Sequence, residues 1–285
     1  MQLIDRKDLE NWADTYDSMG YLPYLMLRLV RASTPNTTFV DIPFGSAVNV
    51  GGWDGVVKCS GCGNHVPDGI SLWEFGTDSN VKGKAEKEYS KRTADPLGYD
   101  IDQSTFVFVT PRFWKFKEKW RKEKIAEKKW KDIRVYDSSD LAQWLDSTMA
   151  VARWFSSYIG KYPMDGIVTA DEYWEEWSSG PAGILPPETV TSGRQKEMEL
   201  LANFLNGSPA IKGIKASTKG EAIAFIIACA KQFDQPLNET FFSKTLLVDT
   251  EGNYRGIRIN TTALNLITRF EDTQPLYAAI AKGHH

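Results

Sequence analysis

Two carboxylates separated by turn-forming residues carry the strongest chemical signal in the chain. Asp54 follows the Gly51–Gly52 turn at the start of one β-type run, and Glu74 lies near the end of another, ISLWEF, between Trp73 and Phe75. A carboxylate set in such an apolar strand needs a partner. The segment between the two runs contains Gly, Pro and Asn, so the runs are predicted to form a hairpin. That pairing brings both acids to one end of a sheet. Two adjacent carboxylates repel unless a divalent cation lies between them. Mg²⁺, or Mn²⁺, held in this way is the usual device for phosphodiester hydrolysis: it polarises the phosphate and acidifies a bound water. A nearby lysine then orients the water or stabilises the developing charge.

Three other features carry possible chemistry. Trp114–Lys131 (WKFKEKWRKEKIAEKKWK) holds nine Lys or Arg against three Glu, with Trp114, Trp120 and Trp130 interleaved. Such a helix has two readings: a track for a DNA backbone, or a solvated face anchored on its Trp side. Cys59-x₂-Cys62, followed by His65, looks like part of a zinc site, but zinc needs a fourth ligand. Asp68 could fill that gap. The favoured reading is a glycine-rich hairpin turn that carries cysteines. Gly213–Gly220 (GIKASTKG) lies where a P-loop would, between an expected strand and helix, but the order of Lys219 and Gly220 is reversed and no Ser or Thr follows. Thr218 is expected to be a helix N-cap, with Glu221 completing a capping box. KTLLVD, residues 244–249, has the form of a Walker B strand without its partner loop. With three histidines in the chain, two of them terminal, a histidine-based hydrolase is poorly supported.

The elements that must position the acids follow from periodicity. Residues 6–16 and 21–32 read as helices. Thr38–Ile42, Gly55–Lys58 and Ile70–Phe75 read as strands, and 83–94 as a polar helix. Ser104–Thr110 (STFVFVT) is a continuous apolar run, expected to be a central strand buried on both faces. Then come a charged helix over 113–130, a strand at Ile133–Tyr136, a helix capped by Asp137 or Ser138, and an apolar helix near 150–159. The fold class implied is α/β, a mixed sheet flanked by helices. Residues 161–190, rich in Pro and Gly, read as a linker with a short Trp-rich helix, Glu172–Trp177. From 191 onward a βαβαβ pattern restarts: strand 210–215, helix 218–232, strand 244–249, helix 261–269 and strand 276–280. This partial P-loop-like unit reads as part of a larger domain.

The block GWDG…VPDGISLWEFG…KGKAEKEYSKRT, supported by FVFVTPRFW and KKWKDIRVYDSSDLAQWL, resembles the PD-(D/E)xK, restriction-endonuclease-like nucleases over residues 35–160. It is most similar to the Mrr-type domains at the N-terminus of bacterial antiphage defence NTPases. The resemblance implies a nuclease domain over 1–160 and a sensor or NTPase-like unit over 191–285. It makes Asp54 and Glu74 the metal ligands, with Asp41 as a further acid. The family's lysine normally follows two residues after the second acid, where this chain has Gly76. The role then passes to the next helix, to Lys84, with Lys82 and Lys91 as competitors. Helical spacing puts Lys84, Glu88, Lys91 and Arg92 near one face, with Tyr89 on the same helix. Lys91, Arg92, Tyr89, Lys119 and Lys122 are therefore the expected nucleic-acid contacts.

Composition sets the bounds. The chain has 285 residues, 42% hydrophobic and 25% charged, which suits two modest globular domains. A net charge of -3 excludes a uniformly basic nucleic-acid coat, so any such site is a local patch. The N-terminal residues lack a signal-peptide core, and three cysteines do not make a disulfide framework. A cytoplasmic protein is expected. The overall expectation is a Mg²⁺- or Mn²⁺-dependent DNA endonuclease effector of antiviral defence. It would act as a homo-oligomer or within a larger defence assembly, since paired cleavage of duplex DNA favours a dimer. The alternative is an inactive nuclease fold that binds nucleic acid or a partner protein.

Overall fold

The computed structural model describes residues 2–35, 38–45, 51–161, 166–181, 183–257, 262–269, 274–281 and 283–285. The chain divides into two compact units, Met1–Ser147 and Thr148–His285. The first boundary thus falls earlier than the expected residue 160, and the expected linker over 161–190 is part of the second unit. Among the described residues, no helix is long and apolar enough to cross a membrane.

The first unit is built on a five-stranded sheet in the order β1-β2-β3-β4-β5. The strands are β1 (Phe39–Asp41), β2 (Gly55–Cys59), β3 (Gly69–Phe75), β4 (Ser104–Val109) and β5 (Asp132–Tyr136). The first three run antiparallel, and β3, β4 and β5 run parallel. The expected hairpin and mixed sheet are therefore present. All six residues of β4 are buried, as a central strand covered on both faces requires.

Helices cover both faces. Around the strands lie α1 (Arg6–Ala13), α2 (Ser18–Ser33), α3 (Val81–Ala94), α4 (Lys117–Ala126) and α5 (Ser138–Ser147). Strand alternation sorts the core. Leu72 and Val56 pack with Phe106, Phe108, Val81, Ala85, Tyr89, Trp114 and Trp120, on the side of α3 and α4. Trp73 points the other way, toward Tyr136 and Trp144, on the side of α5. Asp137 caps α5, its carboxylate accepting from Ser139 and Asp140 amides. The charged helix is shorter than its expected span of 113–130. Its entry is drawn aside where Trp114 N–H donates to Asp137, and it ends before Lys128, which sits at φ 54°.

The second unit departs further from expectation. It contains α6 (Met149–Tyr158), β6 (Ile167–Thr169), α7 (Ala170–Ser178), the short pair β7 (Ser179–Gly180) and β8 (Gly183–Ile184), α8 (Pro187–Thr191), α9 (Gln195–Asn206), α10 (Lys219–Gln232), α11 (Leu237–Lys244), β9 (Thr245–Val248), α12 (Glu251–Gly256), β10 (Asn265–Thr268) and α13 (Gln274–Ile280). The main sheet has the order β10-β9-β6, with β10 parallel and β6 antiparallel to β9. The expected strand at 210–215 is irregular. The expected helix over 261–269 is β10 (its first residue, Thr261, lies outside the described residues), and the expected strand at 276–280 is α13. Asn265–Thr268 holds two β-branched residues, which favour a strand, whereas the Ala278–Ala279 pair favours a helix. The unexpected strand β6 comes from the supposed linker and buries Ile167 against Leu246 and Val248.

Candidate active site

The β2–β3 register places Gly55 opposite Trp73, and one further step sets Asp54 opposite Glu74. Both acids lie at the same end of the hairpin, on the face that α3 covers. Asp54 is half-buried and Glu74 only 2% exposed. Two neighbours fix them. The Phe75 amide donates to Asp54 Oδ2 at 2.8 Å. Arg92 Nε donates to Glu74 Oε1, and its Nη2 donates to the Gly52 carbonyl. The Arg92 guanidinium also lies over the Trp53 ring, 4.7 Å from its centroid. Trp53 in turn packs edge-on against Phe106 and Trp130. The run Gly52-Trp53-Asp54 is thus locked by one arginine and one core indole.

The charges do not balance. Burial pushes the Glu74 carboxyl up, the Asp54 charge adds to it, and Arg92 only partly opposes them, so Glu74 reaches about 8. Asp54 is also raised by burial, despite the Phe75 amide, a hydrogen bond with Glu74, and the charges of Lys84 and Arg92. Without a cation the pair therefore shares a proton at neutral pH, as adjacent carboxyls do. A divalent ion between them would replace that proton with a double positive charge. The donor set is hard oxygen, which suits Mg²⁺ or Mn²⁺. The residues present fit such an ion.

Lys84 occupies the place that the sequence leaves empty. A Cβ built on Gly76 would come within 2.8 Å of Lys84 Cγ, 3.3 Å of Lys84 Cε and 3.2 Å of Phe108 Cζ. The absence of a side chain at position 76 thus makes room for the lysine stem from α3. Gly76 itself stays on the sheet, donating its amide to the Val109 carbonyl at 3.0 Å. Lys84 Nζ is 2.9 Å from Glu88 Oε1. Burial works against its charge, but the Glu88 hydrogen bond and the charges of Glu88, Asp78 and Asp54 outweigh it and hold its pKa above the ordinary value. Lys84 is a permanent cation here, suited to hold an anion and not to act as a base.

The remaining expected site residues divide. Asp41 is exposed on β1, opposite Val56 and not opposite Asp54, and the leading charges on the acid pair are those of other residues. It is not brought into the pair. Tyr89 is a core residue, 2% exposed, edge-on to Phe106 and Trp120, with its hydroxyl donating to Glu127. Arg92 is buried on Glu74. Neither Tyr89 nor Arg92 presents a surface to nucleic acid. Lys91 is exposed on the same helix, 3.8 Å from Glu88. Lys119 and Lys122 are exposed on α4. That helix packs on β5, two strands from β3, or roughly 10 Å across the sheet. Several of its basic neighbours are held by acids: Lys117 by Asp137 and Asp140, Arg121 by Glu118, and Lys124 by Glu86 and Glu127. Sequence reasoning assigned Arg92 to phosphate and so missed its partnership with Glu74. The signal available was the buried glutamate itself, which required a cation.

At the turn end of the same hairpin, Cys59, Cys62 and Asp68 come together, with ligand atoms all within 4.8 Å of one another. His65 is not among them. Its ring stacks on Trp144 at 5.0 Å. In the second unit, Thr218 caps α10 by accepting from the Glu221 amide, as expected, but the reciprocal Glu221 side-chain bond that would complete the expected capping box is not formed. Lys219 Nζ donates to the Arg269 carbonyl and Arg269 pairs with Asp249 at 3.3 Å.

No protein-family description matches this chain, and no curated protein or solved structure matches it either.

Proposed function

We propose that the first unit is a Mg²⁺- or Mn²⁺-dependent endonuclease of the PD-(D/E)xK kind, acting on DNA. The observation that carries this reading is the convergence of Asp54, Glu74 and Lys84 at one end of the hairpin, with Lys84 lying over Gly76. Asp54 and Glu74 would hold the cation, which supplies a polarised phosphate and an acidified water. The chain's own residues prepare that chemistry. Arg92 aims Glu74 and limits its repulsion with Asp54. The Phe75 amide fixes one oxygen of Asp54, leaving the other for a ligand. Lys84, held by Glu88, presents a fixed positive charge for the attacking water or for a phosphate oxygen. Lys91 on α3, and Lys119 and Lys122 on α4, supply exposed positive charge for a polyanion. The second unit, with its parallel β9–β10 pair and capped α10, is read as a sensor or NTPase-like module of a prokaryotic antiviral protein.

The inactive-fold alternative rested on Gly76 in place of the family lysine. The position of Lys84 weakens it. Supercoiled plasmid incubated with Mg²⁺ or Mn²⁺ decides between the two. The parent chain should nick or linearise it, and Asp54→Asn, Glu74→Gln and Lys84→Ala should each lose cleavage. A chain that binds DNA yet never cuts it supports the inactive module, and acid variants that still cut overturn the site.

A further inference from the structure

We propose that Cys59, Cys62 and Asp68 form a second metal centre, for a thiophilic divalent cation such as Zn²⁺. It lies at the turn end of the β2–β3 hairpin, opposite the acid pair. Cys59 ends β2, where it pairs with Gly69, the first residue of β3. Asp68 immediately precedes that glycine, and Cys62 lies within the connecting loop. All three ligand groups therefore belong to the closure of one hairpin, and their ligand atoms fall within 4.8 Å of one another. The placement is anchored from two sides. Asp68 Oδ1 accepts the Cys62 amide at 2.9 Å, which leaves Oδ2 for a ligand. The Thr38 hydroxyl lies 3.5 Å from Cys59 Sγ and 4.0 Å from Cys62 Sγ, an outer partner of the kind that orients metal ligands.

The donor chemistry selects the ion. The structure joins the two sulfurs in a disulfide, so the centre forms in the reduced chain, once a thiol or phosphine reductant has supplied two electrons and two protons to give the free Cys59 and Cys62 thiols. A disulfide across so short a loop stabilises the fold less than one that closes a longer loop. Two thiolates and a carboxylate, by contrast, are mutually repulsive until a divalent ion neutralises them. Sulfur donors prefer Zn²⁺ to Mg²⁺, so this centre and the acid pair would select different metals. Both thiols release their protons to solvent on binding. Cys59 is buried while Cys62 is half-buried and Asp68 exposed, which leaves an open side where water completes the tetrahedron. The centre ties the loop over 60–68, which contains Gly61 and Gly63, to the end of β2 in the hairpin whose other end carries Asp54 and Glu74.

The test uses the full chain, reduced with a phosphine and freed of metal by chelation, then titrated with Co²⁺. The expected result is one equivalent bound with thiolate-to-Co²⁺ absorption and the visible bands of tetrahedral geometry, displaced by Zn²⁺. Cys59→Ser should abolish the thiolate absorption, and Asp68→Asn should weaken binding at least about tenfold. Circular dichroism establishes that each variant is folded. Asp54→Asn should keep the absorption unchanged, so failure here is separable from failure of the nuclease reading. The proposal is overturned if the reduced chain gives no thiolate absorption with Co²⁺. It is also overturned if thiol titration finds Cys59 and Cys62 still joined after reduction.

Discussion

Both units bring parallel strands to an end beside a helix and place an acid there, and the two ends differ in charge balance. In the first unit, Asp54, Glu74 and Glu88 face the cations Arg92 and Lys84, and Glu74 is pushed up to about 8. In the second, Asp249 follows β9, Arg269 follows β10, and the two pair with side chains 38% exposed each. Lys219 adds a second cation, hydrogen-bonded to the Arg269 carbonyl. An acid at a strand end is common. An acid opposite another acid, buried and short of positive charge, is a place where a divalent ion is stabilised. The Asp249–Arg269 pair already has its counter-ion.

The comparison can be broken most decisively at the arginines. Arg92→Met removes the hydrogen bonds to Glu74 and to the Gly52 carbonyl and, at pH 9, where Glu74 is charged, is expected to cost about 3–5 kcal/mol in urea denaturation. Arg92→Lys should recover part of that loss. Equal losses from Arg92→Met and from the same change at Arg269 would show that the two ends do not differ.

A smaller effect is expected from pH. Burial and the Asp54 charge push Glu74 up to about 8 in the folded chain, against 4.5 for an unburied glutamate. The folded state therefore binds more protons than the unfolded state between those values, so metal-free stability falls as pH rises from about 4.5 to about 8. The loss is expected to amount to a few kcal/mol at most. Mg²⁺ should offset it, and more strongly at pH 8 than at pH 5. Urea midpoints with chelator and with Mg²⁺ at the two pH values measure this, and Glu74→Gln should flatten the chelator series. A rise in metal-free stability across this window would refute the strained pair.

The smallest effect belongs to the second unit. Arg269→Met removes a partly exposed pair, whose contribution is about 0–1 kcal/mol after solvent screening. A loss well beyond that in the same denaturation series would mean that Asp249 sits in a site as demanding as the acid pair.

The comparison also shows what the sequence could reveal. The hairpin, the acid pair and the central strand β4 were legible because they follow from local turn residues and from alternation in contiguous runs. The helix wheel of α3 grouped Lys84, Glu88, Lys91 and Arg92 correctly as near neighbours. It could not say that the Glu88–Arg92 edge turns inward, because that depends on Glu74, 18 residues earlier. Tyr89 turns inward for a separate reason, its packing on Phe106 and Trp120 and its bond to Glu127, 38 residues later. In the second unit, β6 is a three-residue strand inside a Pro- and Gly-rich stretch, and its partner β9 is far along the chain. Periodicity has no purchase on so short an element. The apolar runs at 265–268 and 276–280 are likewise too brief for a helical and a strand period to be told apart. Cys59, Cys62, His65 and Asp68 were all legible as candidate ligands, but only the fold could tell that Asp68 joins the two cysteines while His65 stacks on Trp144.

The central claim is that Lys84 stands in for a side chain missing at Gly76, and a transplant tests it most directly. Plasmid cleavage with Mg²⁺ would be compared among the parent chain, Lys84→Ala, and Lys84→Ala combined with Gly76→Lys, where removal of the Lys84 stem leaves Phe108 as the close neighbour. The account predicts a loss of roughly a hundredfold for Lys84→Ala, as for removal of a charge-stabilising donor, and recovery of a substantial part of it in the double variant. Cleavage by Lys84→Ala at the parent rate would contradict it.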